Sequence, residues 1–210
     1  MSDLIGEIER DAITELLNIA IGQAAASLSQ LVEDEVRLSV PFIDFLTLDQ
    51  AAERLESEIS GADTVAVRQC FSGPFSGDIL LLFPEQRSLD LVRHILGENV
   101  PLAQLTELEQ EALLEVGNII LNACLGSVAN QLGMVIESSL PAYLRGRSAR
   151  ILESGAQRPI ALGSEGLAMF LHVDFALLNK DINGYLAFMM DIASARHFVE
   201  AVRTYLNGRL

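Results

Sequence analysis

Two pairs of polar side chains with the same spacing are the strongest candidates for chemistry in this sequence. Glu15 and Asn18 are three positions apart, and Glu115 and Asn118 repeat that spacing one hundred positions later. Residues three apart lie on one face of a helix, so each half of the chain presents a carboxylate beside a carboxamide. These groups offer hydrogen-bond acceptors and donors rather than a nucleophile.

The two pairs belong to a longer repeated pattern. An acidic residue precedes each Glu by four positions, and twenty-two residues separate each Asn from a proline; these flanking residues are Asp11 and Pro41, then Glu111 and Pro141. A match to Glu, Asn and Pro at fixed spacing has a chance of roughly one in ten thousand per starting position. Two matches in register indicate an internal duplication, with repeats of about 1–100 and 101–210.

Conventional catalytic sets are missing from the sequence. His94, His172 and His197 have no companion ligand at metal-binding spacing, so no metal site is expected. No glycine-rich phosphate loop with a following lysine occurs, and no nucleophile elbow. Cys70 and Cys124 lie far apart without a basic neighbour, which favours reduced, buried thiols over a disulfide or an activated thiolate.

The repeated Glu and Asn have a simple alternative explanation, namely the solvent-exposed faces of two amphipathic helices. Three features favour a functional role. Asn is a mediocre helix former, yet both copies retain it while their neighbours change. A glycine lies beside each pair, at Gly22 and Gly126, where it weakens the helix and would let another protein's backbone approach.

The first pair is expected on a long helix from about Leu4 to Leu31. Apolar residues recur there at intervals of three and four, namely Ile13, Leu17, Ala20, Ala24, Leu28 and Leu31. On the opposite side, a sector about 60 degrees wide holds the polar stripe, which consists of Asp11, Glu15, Asn18 and Gly22. The stripe is therefore predicted to face outward.

The remaining pattern predicts the same order of elements in both halves. In the first half we expect a strand at 36–42, a helix at 48–59, a hairpin of strands at 64–71 and 77–83, and a helix at 85–96. In the second half a capping box, Thr106-x-x-Glu109, is expected to open a helix at 106–132. After it we expect a strand at 135–144, a short helix at 148–153, strands at 167–175 and 184–190, and a helix at 193–207.

This pattern predicts an α+β (mixed α/β) fold with pseudo-two-fold internal duplication. Each half needs a partner for its apolar faces, so one domain over 1–210 with a shared, largely antiparallel sheet and two long motif-bearing helices is expected. Half of the residues are apolar, which allows a sizeable core.

Charge and hydropathy exclude several classes of function. The net charge of −15 argues against a nucleic-acid partner, because phosphate neutralisation requires a basic surface. The apolar stretch 116–136 is interrupted by Asn and Gln, so no membrane insertion is expected, and the absence of an export signal predicts a cytoplasmic protein. The basic cluster in the second half is expected to be a solvated loop or a docking patch for an acidic protein; it comprises Arg145, Arg147, Arg150 and Arg158.

The doubled pattern resembles the signature of the CheC/CheX/FliY chemotaxis phosphatases, which is Asp or Ser, three residues, Glu, two residues, Asn, twenty-two residues and Pro. Asp11, Glu15, Asn18 and Pro41 match it fully. The second copy matches at Glu115, Asn118 and Pro141, whereas Glu111 stands where the family has Asp or Ser. Two intact pairs in one chain of this length make it most similar to CheC.

The resemblance implies a hydrolase that acts on the aspartyl phosphate of the response regulator CheY. The catalytic residues would be Glu15, Asn18, Glu115 and Asn118, whose side chains would position the attacking water. Partner-binding residues would be Asp11, Gly22, Pro41, Glu111, Asn122 and Pro141. This chain would bind no cofactor, and the Mg2+ expected in the reaction would sit on the receiver domain of the partner. The deamidase CheD is a possible second partner.

Two other functions remain open at this stage. The same helix face would also suit a non-catalytic adaptor or sink for phosphorylated receiver domains. A structural protein with fortuitous stripes is the third reading, and it predicts that Asn18 and Asn118 tolerate alanine. Hydrolysis rates separate the first two, and capture of a phosphorylated receiver separates both from the third.

Overall fold

The computed structural model describes residues 5–32, 35–40, 43–59, 63–96, 102–153, 166–177 and 180–208. The first half contains, in order, α1 (Glu7–Val32), β1 (Val36–Ser39), β2 (Ile43–Leu46), α2 (Leu48–Ile59), β3 (Thr64–Ser72), β4 (Gly77–Pro84) and α3 (Glu85–Leu96). The second half contains α4 (Leu102–Leu132), β5 (Glu137–Ser138), β6 (Ala142–Gly146), α5 (Ser148–Glu153), β7 (Gly166–Leu177), β8 (Lys180–Asp191) and α6 (Ile192–Asn207).

The described strands form one antiparallel sheet in which the halves are interleaved. Its strand order is β1-β7-β8-β4-β3-β5, with β2 also paired to β7 and β6 also paired to β3. The edge strands of the first half therefore pair with the second half, and those of the second half pair with the first. This arrangement confirms the expected mixed fold with a shared antiparallel sheet.

Helices cover both faces of the sheet. On one face, α1, α3, α4 and α6 pack over the larger apolar core, to which β3 contributes Val65 and Val67. On the other face, α2 and α5 cover a smaller core around Ala66 and Leu80. The alternation of side chains along each strand sends neighbouring residues to opposite cores.

Local sequence signals account for several helix boundaries. Thr47 and Gln50 form a capping box at the start of α2, in which each side chain bonds the other's backbone N–H at 3.0 and 3.2 Å. The carboxylate of Asp191 accepts a hydrogen bond from the Ser194 N–H and caps α6.

Four local predictions are corrected. The helix α4 begins at Leu102, so Thr106 lies inside it and the predicted capping box is wrong. Glu109 is buried instead and accepts a hydrogen bond from Ser88 of α3 at 2.6 Å, which ties the two helices together. Leu31 is 43% exposed because it lies in the last turn of α1, beyond the part of the stripe that enters the core.

The other two corrections concern strand lengths. The strands expected at 36–42 and 135–144 are shorter than predicted, because β1 ends at Ser39 and the second strand is divided into β5 and β6, with Pro141 between them. The hairpin of β7 and β8 is longer than expected. Its two strands pair without interruption, from Leu177 opposite Lys180 to Gly166 opposite Asp191.

The apolar helix α4 is long enough to cross a membrane over Leu108–Leu132, by length and composition alone. More than half of that stretch is buried inside the fold. Its residues Leu113, Val116, Ile120 and Cys124 face the larger core, which accounts for its hydropathy.

Candidate functional site

The first polar stripe lies on the outer side of α1, as predicted. Ile13, Leu17, Ala20 and Ala24 are buried, whereas the stripe residues Asp11, Glu15, Asn18 and Gly22 are all exposed. Glu15 and Asn18 make no side-chain hydrogen bond to any residue that the structure describes. They are therefore placed to meet another molecule, with one turn of helix between them.

The second stripe lies on α4 in the same helical layer. Glu111, Glu115 and Asn122 are exposed, and Asn118 is half-buried. The two helices α1 and α4 pack against each other over the larger core. No hydrogen bond or ion pair among the described residues joins the first Glu/Asn pair to the second.

The carboxamide of Asn118 is held by neighbouring side chains. Asn122, one turn further along α4, donates from Nδ2 to Asn118 Oδ1 at 2.7 Å. The Oδ1 atom of Asn122 accepts from Gln69 Nε2 on β3 at 3.2 Å, and from Ser138 Oγ at 3.4 Å. Gln69 Nε2 also donates to the backbone carbonyl of Ser139 at 2.9 Å. This chain of contacts connects the sheet to the outer face of α4.

Pro141 lies next to this network, in an irregular part of the sheet. There, three residues between β5 and β6 stand opposite two residues of β3. Phe71 pairs with Ser138 and Arg68 pairs with Ala142, so residues 139–141 stand opposite Gln69 and Cys70. Such a bulge suits a proline, which cannot donate to a ladder. It turns the carbonyl of Ser139 toward Gln69 and leaves Leu140 89% exposed.

Pro41, the corresponding residue of the first copy, lies outside the described residues. On either side of it, Ser39 pairs with Asp174 and Ile43 pairs with Leu171 of β7.

The glycines beside the pairs have no internal packing requirement. A Cβ atom added at Gly22 or Gly126 would meet no atom within 4 Å. Gly117 differs, because a Cβ there would lie 2.6 Å from Val67 Cβ on β3. Gly117 thus permits the close approach of α4 to the sheet, whereas Gly22 and Gly126 leave open space on the outer surface.

Other candidate groups in the described chain have structural surroundings. Both cysteines are free. Burial raises the pKa of Cys124 to about 12, and burial together with a hydrogen bond to Asp78 raises the pKa of Cys70, so neither thiol is activated. No group of His, Cys, Asp or Glu within the described ranges could hold a metal ion.

The basic cluster is divided by the fold. Arg145 forms an ion pair with Glu85 on α3, while Arg147 and Arg150 are exposed at the start of α5. Arg158 lies outside the described residues. Since none of these side chains is brought to the Glu/Asn stripes by a described contact, the cluster remains a surface feature of α5 and its flank.

Gln69 is the residue of the site that sequence reasoning missed. A signal for it exists in the alternation of β3, where Val65, Val67 and Phe71 face the larger core. Gln69 lies on the same face, is only 2% exposed, and leaves its Oε1 atom without a hydrogen-bond partner. A polar residue at an apolar position of a strand indicates a specific contact with the helix above it.

Comparison with known proteins shows which proteins this chain resembles. The sequence model of the CheC-like family matches residues 8–43, which contain the first copy of the motif. The Bacillus subtilis protein named CheY-P phosphatase CheC is 24% identical over 171 residues, which cover 79% of each chain. The CheC1 protein of Halobacterium salinarum is 21% identical and covers 96% of this chain and 100% of its own.

The fold is also found in a solved structure. The X-ray crystal structure of Thermotoga maritima FliY superimposes with a TM-score of 0.74 and 16% identity, covering 96% of this chain and 98% of that one. The likeness extends over almost the whole chain and so shows the fold of both halves. Together with the curated relatives, it confirms the family resemblance expected from the doubled motif.

Proposed function

Because the chain resembles the CheC/CheX/FliY chemotaxis phosphatases and is most like CheC, we propose that it accelerates hydrolysis of the aspartyl phosphate on a CheY-type receiver domain. The pairs Glu15/Asn18 and Glu115/Asn118 are the two catalytic sites. The observation that carries the proposal is that each pair lies on the outer side of a helix, with Glu15, Asn18 and Glu115 exposed and Asn118 half-buried, and that both helices pack over one core.

The proposed chemistry requires positioning rather than a nucleophile on this chain. An aspartyl phosphate is an activated acyl phosphate, and the receiver's own magnesium and lysine supply the charge stabilisation for phosphoryl transfer. The remaining task is to hold a water molecule in line with the phosphorus, and such orientation is worth several orders of magnitude in rate. A carboxamide and a carboxylate one turn apart can hold one water through two hydrogen bonds.

The division of labour follows from the side chains. The carboxamide of Asn18 or Asn118 inserts into the receiver site and orients the water. Glu15 or Glu115 accepts hydrogen bonds from that water or from the receiver's lysine. Helices are rigid supports for such groups, and a misplacement of about 1 Å can cost roughly a hundredfold in rate.

The surface around the second pair is suited to contact with a protein. Leu140 and Val135 are the most exposed large apolar side chains of the described residues, at 89% and 78%. Both belong to the segment that bonds to Asn122 and Gln69, and exposed apolar side chains beside a polar site favour protein binding. Gly22 and Gly126 allow the partner's backbone to come close to the helices.

The test is the decay of aspartyl phosphate on a purified CheY-type receiver, with and without this protein. Asn18→Ala and Asn118→Ala are each expected to remove one site, and the double variant is expected to lose about a hundredfold or more of the acceleration. Asn130→Ala is the matched control, because Asn130 is exposed on α4 outside the stripe. It is expected to keep the wild-type rate.

Binding of a beryllofluoride-loaded receiver, measured alongside, separates the alternatives. If the double variant still binds and no longer accelerates decay, the two catalytic sites are supported. If the wild type binds without accelerating decay, the protein is an adaptor or sink and the proposed catalysis is wrong. If it neither binds nor accelerates decay, the stripes have no role toward receivers.

A further inference from the structure

From the hydrogen bonds around Asn118, we infer that Asn122 and Gln69 are positioning residues that hold the Asn118 carboxamide in one orientation, with its amino group outward, and that the first site lacks this device. The inference rests on the proposed function for its effect on rate. Its structural part, the fixed side chain of Asn118, stands on contacts between described residues and is testable separately.

The orientation is set by a backbone group at the far end of the network. The carbonyl of Ser139 can only accept a hydrogen bond, so the Gln69 atom 2.9 Å from it must be the amino nitrogen Nε2. The second N–H of that nitrogen points to Asn122, whose atom at 3.2 Å must then be the oxygen Oδ1. The donor from Ser138 to the same oxygen agrees with this assignment.

The orientation of Asn122 in turn determines the orientation of the Asn118 carboxamide. With Oδ1 of Asn122 facing Gln69, its Nδ2 faces α4 and donates to Asn118 Oδ1 at 2.7 Å. Asn118 therefore has its oxygen engaged by Asn122, and its two N–H groups make no hydrogen bond to a described residue. Such a side chain offers donors to a phosphoryl oxygen or to the oxygen of a water, and leaves Glu115 as the acceptor of the pair.

Gln69, which anchors the network to the sheet, carries a cost in the stability of the fold. Gln69 is 2% exposed on the apolar face of β3, and its Oε1 atom has no hydrogen-bond partner. A buried amide oxygen without a partner destabilises the protein, and an apolar residue of similar size would avoid that cost. A polar residue at this position agrees with a role in placing Asn122.

Among the described residues, the first site has no counterpart of Asn122 or of Gln69. Gly22 occupies the position of α1 that corresponds to Asn122, with open space around it. The face of β7 that corresponds to Gln69 carries Met169, Leu171 and Val173, all buried in the larger core. Asn18 is exposed, and no described side chain holds its carboxamide by a hydrogen bond.

The two sites, which have identical catalytic residues, are therefore expected to differ in catalytic rate. A fixed carboxamide loses less side-chain entropy when it meets the receiver and starts near the reactive geometry. The second site is thus the faster one, and Asn118→Ala removes more than half of the total activity.

The test isolates the second site in an Asn18→Ala background. Asn122→Gly copies the first half, and Gln69→Leu replaces the anchor by an apolar residue. Each is expected to lower kcat about tenfold, because the carboxamide loses its orientation. Gln69→Leu is expected to leave KM unchanged, because Gln69 is buried beneath the partner surface. Asn130→Gly controls for the cost of a glycine in α4, and a thermal melt of Gln69→Leu is expected to show no loss of stability.

A second measurement does not depend on activity. Nitrogen-15 relaxation of the Asn side-chain amides is expected to show a rigid Asn118 and a mobile Asn18 in the wild type, and a mobile Asn118 in Asn122→Gly and Gln69→Leu. If the amide of Asn118 is as mobile as that of Asn18 in the wild type, or is unaffected by both variants, the inference is overturned.

The two claims fail in different ways. A wild type that does not accelerate phosphate decay contradicts the proposed function, and the relaxation data then decide the positioning inference alone. A wild type that accelerates decay, with both variants retaining full kcat, contradicts the positioning role while leaving the phosphatase intact.

Discussion

Asn18 and Asn118 carry the same side chain and differ in what surrounds it. The first has no hydrogen bond to a described residue, and the second is joined through Asn122 to Gln69 and to the backbone of Ser139. The two copies of the motif share residue types but not the contacts that support them. The kinetic difference that we infer between the two sites would therefore arise from the neighbouring residues rather than from the motif.

Cys124 gives a prediction at the scale of a single residue. Burial raises the pKa of this thiol from 9.0 to about 12. Above about pH 9 the thiol of Cys124 ionises in the unfolded chain but stays neutral in the folded protein. The thiol therefore makes its full contribution to the free energy of unfolding only below that pH. It falls by about 1.4 kcal/mol per pH unit until the folded pKa is reached.

The measurement is urea unfolding of the wild type and of Cys124→Ala across this pH range. The difference in unfolding free energy between the two proteins is expected to shrink from about pH 9 upward, since alanine cannot ionise. Other titrating groups affect both proteins equally and cancel. A difference that stays constant up to about pH 11 would contradict the assigned burial effect.

The sequence allowed part of the site to be predicted. The exposed positions of Asp11, Glu15, Asn18 and Gly22 follow from helical periodicity, which depends only on spacing along one element. The role of Gln69 depends on contacts between residues 53 and 70 positions apart, and no local pattern specifies those. The signal that remained was a polar residue on the apolar face of a strand.

At the scale of elements, the position of α4 on the sheet depends on one glycine. Val67 of β3 fills the space where a side chain of residue 117 would be, so α4 approaches the sheet more closely than a Cβ allows. The same residue in the first copy is Leu17, which is buried. The two motif helices therefore rest on the core in different ways.

Gly117→Ala tests this contact, with Gly126→Ala as the matched control on the same helix. The added methyl at position 117 would collide with Val67 and is expected to lower the free energy of unfolding by about 1–3 kcal/mol, despite alanine's better helix propensity. The methyl at position 126 meets no atom within 4 Å. That variant is expected to gain about 0.5–1 kcal/mol.

Chemical denaturation of both variants beside the wild type decides the point. Equal stabilisation by both substitutions would show that α4 does not depend on the absence of a side chain at Gly117. An increase in receiver KM for Gly126→Ala, with stability gained, would in turn support the use of this open surface in docking.

Helix and strand boundaries show where local signals suffice and where they fail. The helix α2 begins and ends as predicted, because its capping box and its apolar spacing agree. Thr106 and Glu109 offered the same pattern, but α4 starts upstream and Glu109 bonds to Ser88 instead. A capping pattern is decisive only when no favourable helix residues precede it.

At the scale of the whole molecule, the two repeats complete each other's sheet. In the part of the chain that the structure describes, β1 and β2 pair with β7 only, and β5 and β6 pair with β3 only. The centre of the sheet is the pairing of β4 with β8, which again joins the two halves. Sequence periodicity predicts a shared sheet of this kind but not the exchange of edge strands, because pairing between distant strands leaves no local trace.

This exchange predicts that neither repeat folds alone. A fragment of residues 1–96 would leave β1, β2 and the apolar side of α1 without partners, and a fragment of residues 102–210 would leave β5 and β6 without β3. Each is expected to lack a cooperative unfolding transition, because too little apolar surface is buried to offset the chain entropy. Mixed in equal amounts, the two fragments are expected to form a one-to-one complex that unfolds cooperatively.

Circular dichroism melts and sedimentation of the separate and mixed fragments measure this outcome. A repeat that unfolds cooperatively on its own would contradict the single interleaved domain and favour two independent units. Mixing the fragments also tests the function. The fragment of residues 1–96 carrying Asn18→Ala can be combined with the wild-type fragment of residues 102–210. The complex then contains only the second site, in which Gln69 comes from the first fragment and Asn118 from the second, so its activity depends on contact between the two repeats.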